Sequence, residues 1–145
     1  RRLLYDSGFP GMKVIQFAFD SREESDYLPH NYEKNCVVYT GTHDNDTLCG
    51  WYKVLDPDDL KLSQKYMNNA NTPKRQIHWD FIRLALASVA DLCIIPLQDY
   101  LGLGSEARIN TPSTLGNNWR WRMTQGCLTK ELADQIRELT TLYGR

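Results

Sequence analysis

The sequence lacks a surplus of charge of either sign. Its 17 basic and 18 acidic residues are mixed along 145 positions, for a formal net charge of −1. No basic stripe marks a nucleic-acid partner or an anionic membrane, and an uncharged ligand is expected. Long apolar runs are missing as well. The longest, residues 84–87 and 92–97, fall far short of the roughly 20 residues that a membrane span needs. Residues 1–20 hold no apolar core followed by a small-residue cleavage site, so no secretory leader is expected there. Cysteine is sparse, and Cys36, Cys49, Cys93 and Cys127 show no CxxC spacing. Reduced thiols in a cytoplasmic protein are expected, with neither a disulfide framework nor a zinc site. His30 and His78 stand alone and are read as surface or capping residues, which leaves metal catalysis with little support. Gly102-Leu103-Gly104 lacks the third glycine of a dinucleotide fingerprint and reads as a tight turn. No cofactor is implied.

What is present suits a soluble domain: 41% of residues are hydrophobic and 24% charged, enough for a sizeable core. Residues 1–5 suit the last turns of a helix, which Gly8 stops and Pro10 prevents from continuing. A helix with a stop and no start leads to the expectation that the chain begins part-way through something larger. Residues 12–19 and 36–40 are rich in β-branched and aromatic side chains and read as buried strands. Helical periodicity follows over residues 48–67 and 78–90, the latter with Phe81, Ile82, Leu84, Ala85, Leu86 and Val89 on one face. A third apolar strand is expected over 92–97, and an amphipathic helix over 129–143, capped by Thr129 and followed by Gly144. Strands separated by helices indicate parallel β/α units with right-handed crossovers, each strand ending in a polar loop on one face. That is the plan of a (β/α)8 barrel, whose chemistry gathers at the C-terminal strand ends and which takes about 250 residues to close. The α/β pattern here therefore reads as the C-terminal portion of such a barrel, about strands six to eight, with residues 1–145 all belonging to the barrel domain.

The polar run Gly41-Thr42-His43-Asp44-Asn45-Asp46-Thr47 sits at the end of the second expected strand. Transfer of a sugar through an oxocarbenium-like state needs a pair of flanking carboxylates and hydrogen bonds to the ring hydroxyls that strengthen as charge develops. Asp44, beside His43, suits the second task. Two other readings fit the same residues: Asp44, Asn45 or Asp46 as cap of the helix starting near Thr47, and Asp44-Asn45-Asp46 as a DxD holding a divalent cation for a nucleotide-sugar glycosyltransferase. Aromatic rings stack on glucose faces, which makes Phe17, Phe19, Trp51, Trp119 and Trp121 candidates, although aromatics at such spacing are also core residues. Residues 118–122 (NWRWR) alternate tryptophan with arginine, as a sugar-binding edge or a cation–π clamp on the barrel seam.

Four segments carry a resemblance: residues 8–19 (GFPGMKVIQFAF), 39–47 (YTGTHDNDT), 94–108 (IIPLQDYLGLGSEAR) and 118–122 (NWRWR). In order and spacing they resemble the C-terminal region of 4-α-glucanotransferases of the amylomaltase family, over nearly the whole chain except 54–75 and the last helix. The resemblance implies a retaining enzyme that moves segments of α-1,4-glucan between maltooligosaccharides without a cofactor. It implies that the nucleophilic aspartate and the acid/base glutamate lie on strands upstream of residue 1. The chain on its own is then expected to be inactive, to bind glucan at most, and to self-associate where its partner in the same enzyme is missing. Asp44 matches the third carboxylate of the family and His43 a second contact to the sugar at the cleavage point. Asn118 matches a groove-lining position, and Phe17 or Phe19 falls near an acceptor-side aromatic.

Overall fold

The computed structural model describes residues 2–145, and Arg1 lies outside the described residues. Helix α1 (Arg2–Ser7) ends at Gly8, whose φ of 70° is the left-handed stop expected there. Three short strands, β1 (Gly11–Val14), β2 (Cys36–Tyr39) and β3 (Leu92–Ile94), form a parallel sheet in the order β1-β2-β3. Val14 lies opposite Tyr39, and Tyr39 opposite Ile94, so all three strands finish level and on the same side. Between β2 and β3 run α2 (Leu48–Lys53), α3 (Pro57–Met67) and α4 (Ile77–Leu86), while α5 (Leu97–Tyr100) and α6 (Lys130–Leu142) follow the sheet. This is an α/β fold on a parallel sheet, as the alternation of patterns in the sequence indicates.

The strand expected over 12–19 stops at Val14, and Ile15–Phe17 form a 3-10 turn. The turn swings the Gln16 side chain back so that its Nε2 donates to the Asp46 carbonyl at 2.7 Å. The helix expected over 48–67 is two helices. Asp56 accepts from the Asp58 amide and Pro57 occupies the first helical position, which starts α3 afresh. The helix expected over 78–90 begins at Ile77 and ends at Leu86, leaving Val89 outside it and 57% exposed. The third strand is three residues long, because the segment turns at Pro96 into α5. The last helix forms as expected: the Thr129 hydroxyl accepts from the Leu132 amide at 3.2 Å, and Gly144 follows with φ of 66°.

The core lies between the sheet and the helices. The Phe81 ring on α4 is fully buried, with Trp51, Tyr52 and Phe19 rings edge-on or nearly so at 5.2, 5.8 and 5.9 Å. Burying a side chain of this size contributes about 1.5–3 kcal/mol. His78, expected at the surface or as a cap, is instead buried on the first turn of α4. Gly102, at φ 62°, packs onto it so closely that a Cβ there would lie 2.8 Å from the His78 Cε1. Burial lowers the His78 pKa and keeps the ring neutral. All four cysteines are free, and burial raises the thiols of Cys36, Cys49 and Cys93, the last to about 11. In those three, burial disfavours the reactive thiolate. Among the described residues β1 and β3 each pair on one side only, and Met12, Leu92 and Ile94 are exposed. Among them no helix is long and apolar enough to cross a membrane.

Candidate active-site edge at the strand ends

The loop between β2 and α2 is built by short polar side chains that bond to their own backbone. Asn45 Oδ1 accepts from both the amide and the hydroxyl of Thr42 at 2.8 Å, which folds residues 42–45 into a tight turn. Thr47 caps α2, its hydroxyl accepting from the Gly50 amide at 3.1 Å. The cap is therefore Thr47, and Asp44 is free of that duty. Gly50 is needed where it stands, since a Cβ there would meet Asp46 Oδ1 at 2.6 Å.

Asp44 sits at the tip of this turn with its side chain 49% exposed. Asn110 Nδ2 donates to its Oδ1 at 2.6 Å, and His43 Nε2 lies 3.3 Å from the same oxygen. The main chain is gripped from the same direction. Arg108 Nη2 donates to the Asp44 carbonyl at 2.6 Å, and the Asn110 amide to the His43 carbonyl at 3.0 Å. The Trp119 ring lies 5.0 Å from the His43 ring at a tilt of 36°. Trp119 is 57% exposed and held at φ 63°, with its amide donating to the Ile109 carbonyl at 2.7 Å. A carboxylate with one oxygen oriented by an amide, an imidazole beside it and an indole face nearby can take hydroxyl donors from a sugar ring.

Asp46 is turned elsewhere. Its Oδ1 accepts from the Thr47 amide and its Oδ2 from the Ser105 hydroxyl, both at 2.7 Å. The two carboxylates of the DxD thus serve different partners, and among the described residues no three His, Cys, Asp or Glu side chains are grouped so as to hold a metal ion. Below the loop lies Asp99, 2% exposed. Its Oδ2 accepts from the Thr40 hydroxyl at 2.6 Å and its Oδ1 from the Leu48 amide at 2.8 Å. Burial pushes its carboxyl up to about 6, against those two hydrogen bonds, which lower it.

The remaining sequence candidates scatter. Asn118 Oδ1 accepts from the Thr111 amide at 2.9 Å and its Nδ2 donates to Thr114, so its amide closes the loop of which it is part. Phe17 is 49% exposed and edge-on to Tyr27 at 5.5 Å. Phe19 is 3% exposed and packs among Trp51, Tyr66 and Phe81, the core placement left open by its sequence. Arg122 donates to the carbonyls of Trp119 and Trp121, a main-chain contact in place of a cation–π clamp. Sequence reasoning passed over Thr40, Asp99, Arg108 and Asn110. For Asp99 a signal existed, a polar pair closing an apolar strand as His43-Asp44 does; for Asn110 there was none.

The sequence signature of the 4-alpha-glucanotransferase family matches residues 1–129. The chain is 51% identical to a 4-alpha-glucanotransferase of Clostridium butyricum over 140 residues, covering 96% of this chain and 28% of that one. It is 47% identical to the chloroplastic/amyloplastic 4-alpha-glucanotransferase of Arabidopsis thaliana, covering 95% of this chain and 24% of that one. Its fold superposes on the amylomaltase of Streptococcus agalactiae in complex with acarbose with a TM-score of 0.92 and 38% identity, covering 99% of this chain and 29% of that one. The chain thus spans about a quarter of the length of these relatives, and with the family signature matching residues 1–129 it belongs to the 4-alpha-glucanotransferase family.

Proposed function

We propose that residues 1–145 are the C-terminal part of the catalytic domain of a 4-α-glucanotransferase, supplying about strands six to eight of its (β/α)8 barrel. The observation that carries this reading is the Asp44 carboxylate, half-exposed at the strand ends and oriented by Asn110 and His43. Its substrates are maltooligosaccharides and other α-1,4-glucans, its location is cytoplasmic, and it needs no metal or cofactor. In the reaction, an aspartate outside this chain attacks the anomeric carbon, and a glutamate outside this chain protonates the departing 4-oxygen. The 4-hydroxyl of a second glucan, giving its proton to that glutamate, then displaces the aspartate, so the anomeric configuration is retained. Asp44 and His43 hold the 2- and 3-hydroxyls of the reacting glucose, and the negative charge of Asp44 opposes the developing oxocarbenium ion. Trp119 beside His43, with Phe17 and Asn118 farther along, offers surface to the rest of the glucan.

Asp44→Asn in the full-length protein tests this. The swap keeps size and most hydrogen bonds and removes the charge, so transfer from maltotriose should fall on the order of a thousandfold with the fold intact. Glucose release and the appearance of longer glucans measure it; near-normal rates in the variant would refute the role. Residues 1–145 alone should give neither product and should self-associate through the open edges of β1 and β3, which mass in solution would detect.

A further inference from the structure

Asp99 takes no part in the reaction as proposed, yet it occupies the most constrained position near the site. Its two oxygens accept hydrogen bonds from Thr40 and from Leu48, the residues immediately before and after the Gly41–Thr47 loop that carries Asp44. The two donors are eight positions apart in sequence and are joined through one carboxylate on α5, the helix that directly follows β3. The same segment reaches the loop twice more, at its flank through Ser105 to Asp46 and at its tip through Arg108 to the Asp44 carbonyl. We propose that Asp99 is a positioning residue for Asp44, closing the base of the loop so that the Asp44 carboxylate is presented at one fixed height above the strand ends.

The chemistry of the pocket supports a role beyond filling space. Asp99 is buried without a cationic partner among the described residues, and burial is the main influence displacing its titration upward. A buried carboxylate of that kind burdens the fold at neutral pH, where an uncharged side chain of the same shape would not. An asparagine could keep a single acceptor for the Leu48 amide, but its Nδ2 would face Thr40, which then has to reverse its hydroxyl. Fixing two donors by two oxygens of one rigid group is a task for a carboxylate.

The inference rests on the reading of Asp44 as the transition-state carboxylate. It is tested in the full-length protein by Asp99→Asn, Thr40→Val and Thr40→Ser, with maltotriose disproportionation and thermal unfolding at neutral pH. A misplacement of about 1 Å can cost about a hundredfold in rate. Asp99→Asn and Thr40→Val should therefore lower kcat at least about tenfold with KM within about twofold, while Thr40→Ser, which keeps the hydroxyl, should stay within about twofold of the parent. The melting temperature of Asp99→Asn should equal or exceed that of the parent, which a purely structural role would not allow. If Asp99→Asn does not fold, Thr40→Val against Thr40→Ser decides alone. Parental kcat in folded Asp99→Asn and Thr40→Val, alongside an inactive Asp44→Asn, would overturn the positioning role and leave the function standing. An inactive parent protein would overturn the function itself.

Discussion

Two polar stretches meet beside His43, and they are held in opposite ways. The Gly41–Thr47 loop takes hydrogen bonds from Gln16, Ser105, Arg108 and Asn110, partners far away in sequence, and has Asp99 beneath both its ends. The stretch 111–128 bonds almost entirely to itself: Asn118 to Thr111 and Thr114, Arg122 to Trp119 and Trp121. Nearly all of its residues are exposed. The difference matches the tasks proposed for them. A charge that must face a developing cation works only if it is fixed beforehand, whereas a stacking surface for glucans of varied length can settle against each one.

The largest effect that could break this contrast is electrostatic. Asp99 titrates at about 6 in the fold against an ordinary 3.8, so the folded protein holds its proton more tightly than the unfolded chain. The stability this carboxyl contributes is complete below the ordinary value and is lost as pH rises through about 6, a difference of about 3 kcal/mol. Unfolding the full-length protein and its Asp99→Asn variant in urea across that range should show the parent losing about 3 kcal/mol relative to the variant. Parallel pH dependences would mean that the base of the loop is wetter than its burial indicates.

Next in size is Asn45→Ala. It strips the acceptor from the Thr42 amide and hydroxyl and should cost about 1 kcal/mol by thermal unfolding, because the half-buried amide loses its partner. The smallest effect belongs to the other stretch. Leu115 is fully exposed at its tip, and Leu115→Ser should change stability by less than about 0.5 kcal/mol. A larger loss would reveal contacts that make the second stretch as tightly held as the first.

The sequence carries the parts of the fold that depend on near neighbours. The Thr129 cap and Gly144 stop bound α6 closely, and β2 lies within one residue of its apolar run. Where several partners compete, pattern alone overshoots. Residues 15–19 are as apolar as a strand should be, but β2 offers nothing to pair with beyond Tyr39, and the chain turns to bring Gln16 to Asp46. The site divides along the same line. His43 and Asp44 are visible because a polar run ends a strand. Asn110 is invisible because its reason for being polar lies 66 residues away.

That separation also has a meaning in time. The strands join the sheet in the order in which they are synthesised, β1 then β2 then β3, so the sheet can grow by addition as the chain emerges. The Asp44 turn emerges with its own Thr42 and Asn45 contacts but without Asn110, 66 residues later. At about 5–20 residues per second, translation leaves roughly 3–13 s between the two. For that interval the Asp44 carboxylate stands on a half-made loop, which gains its Asn110 partner only when those 66 further residues have emerged.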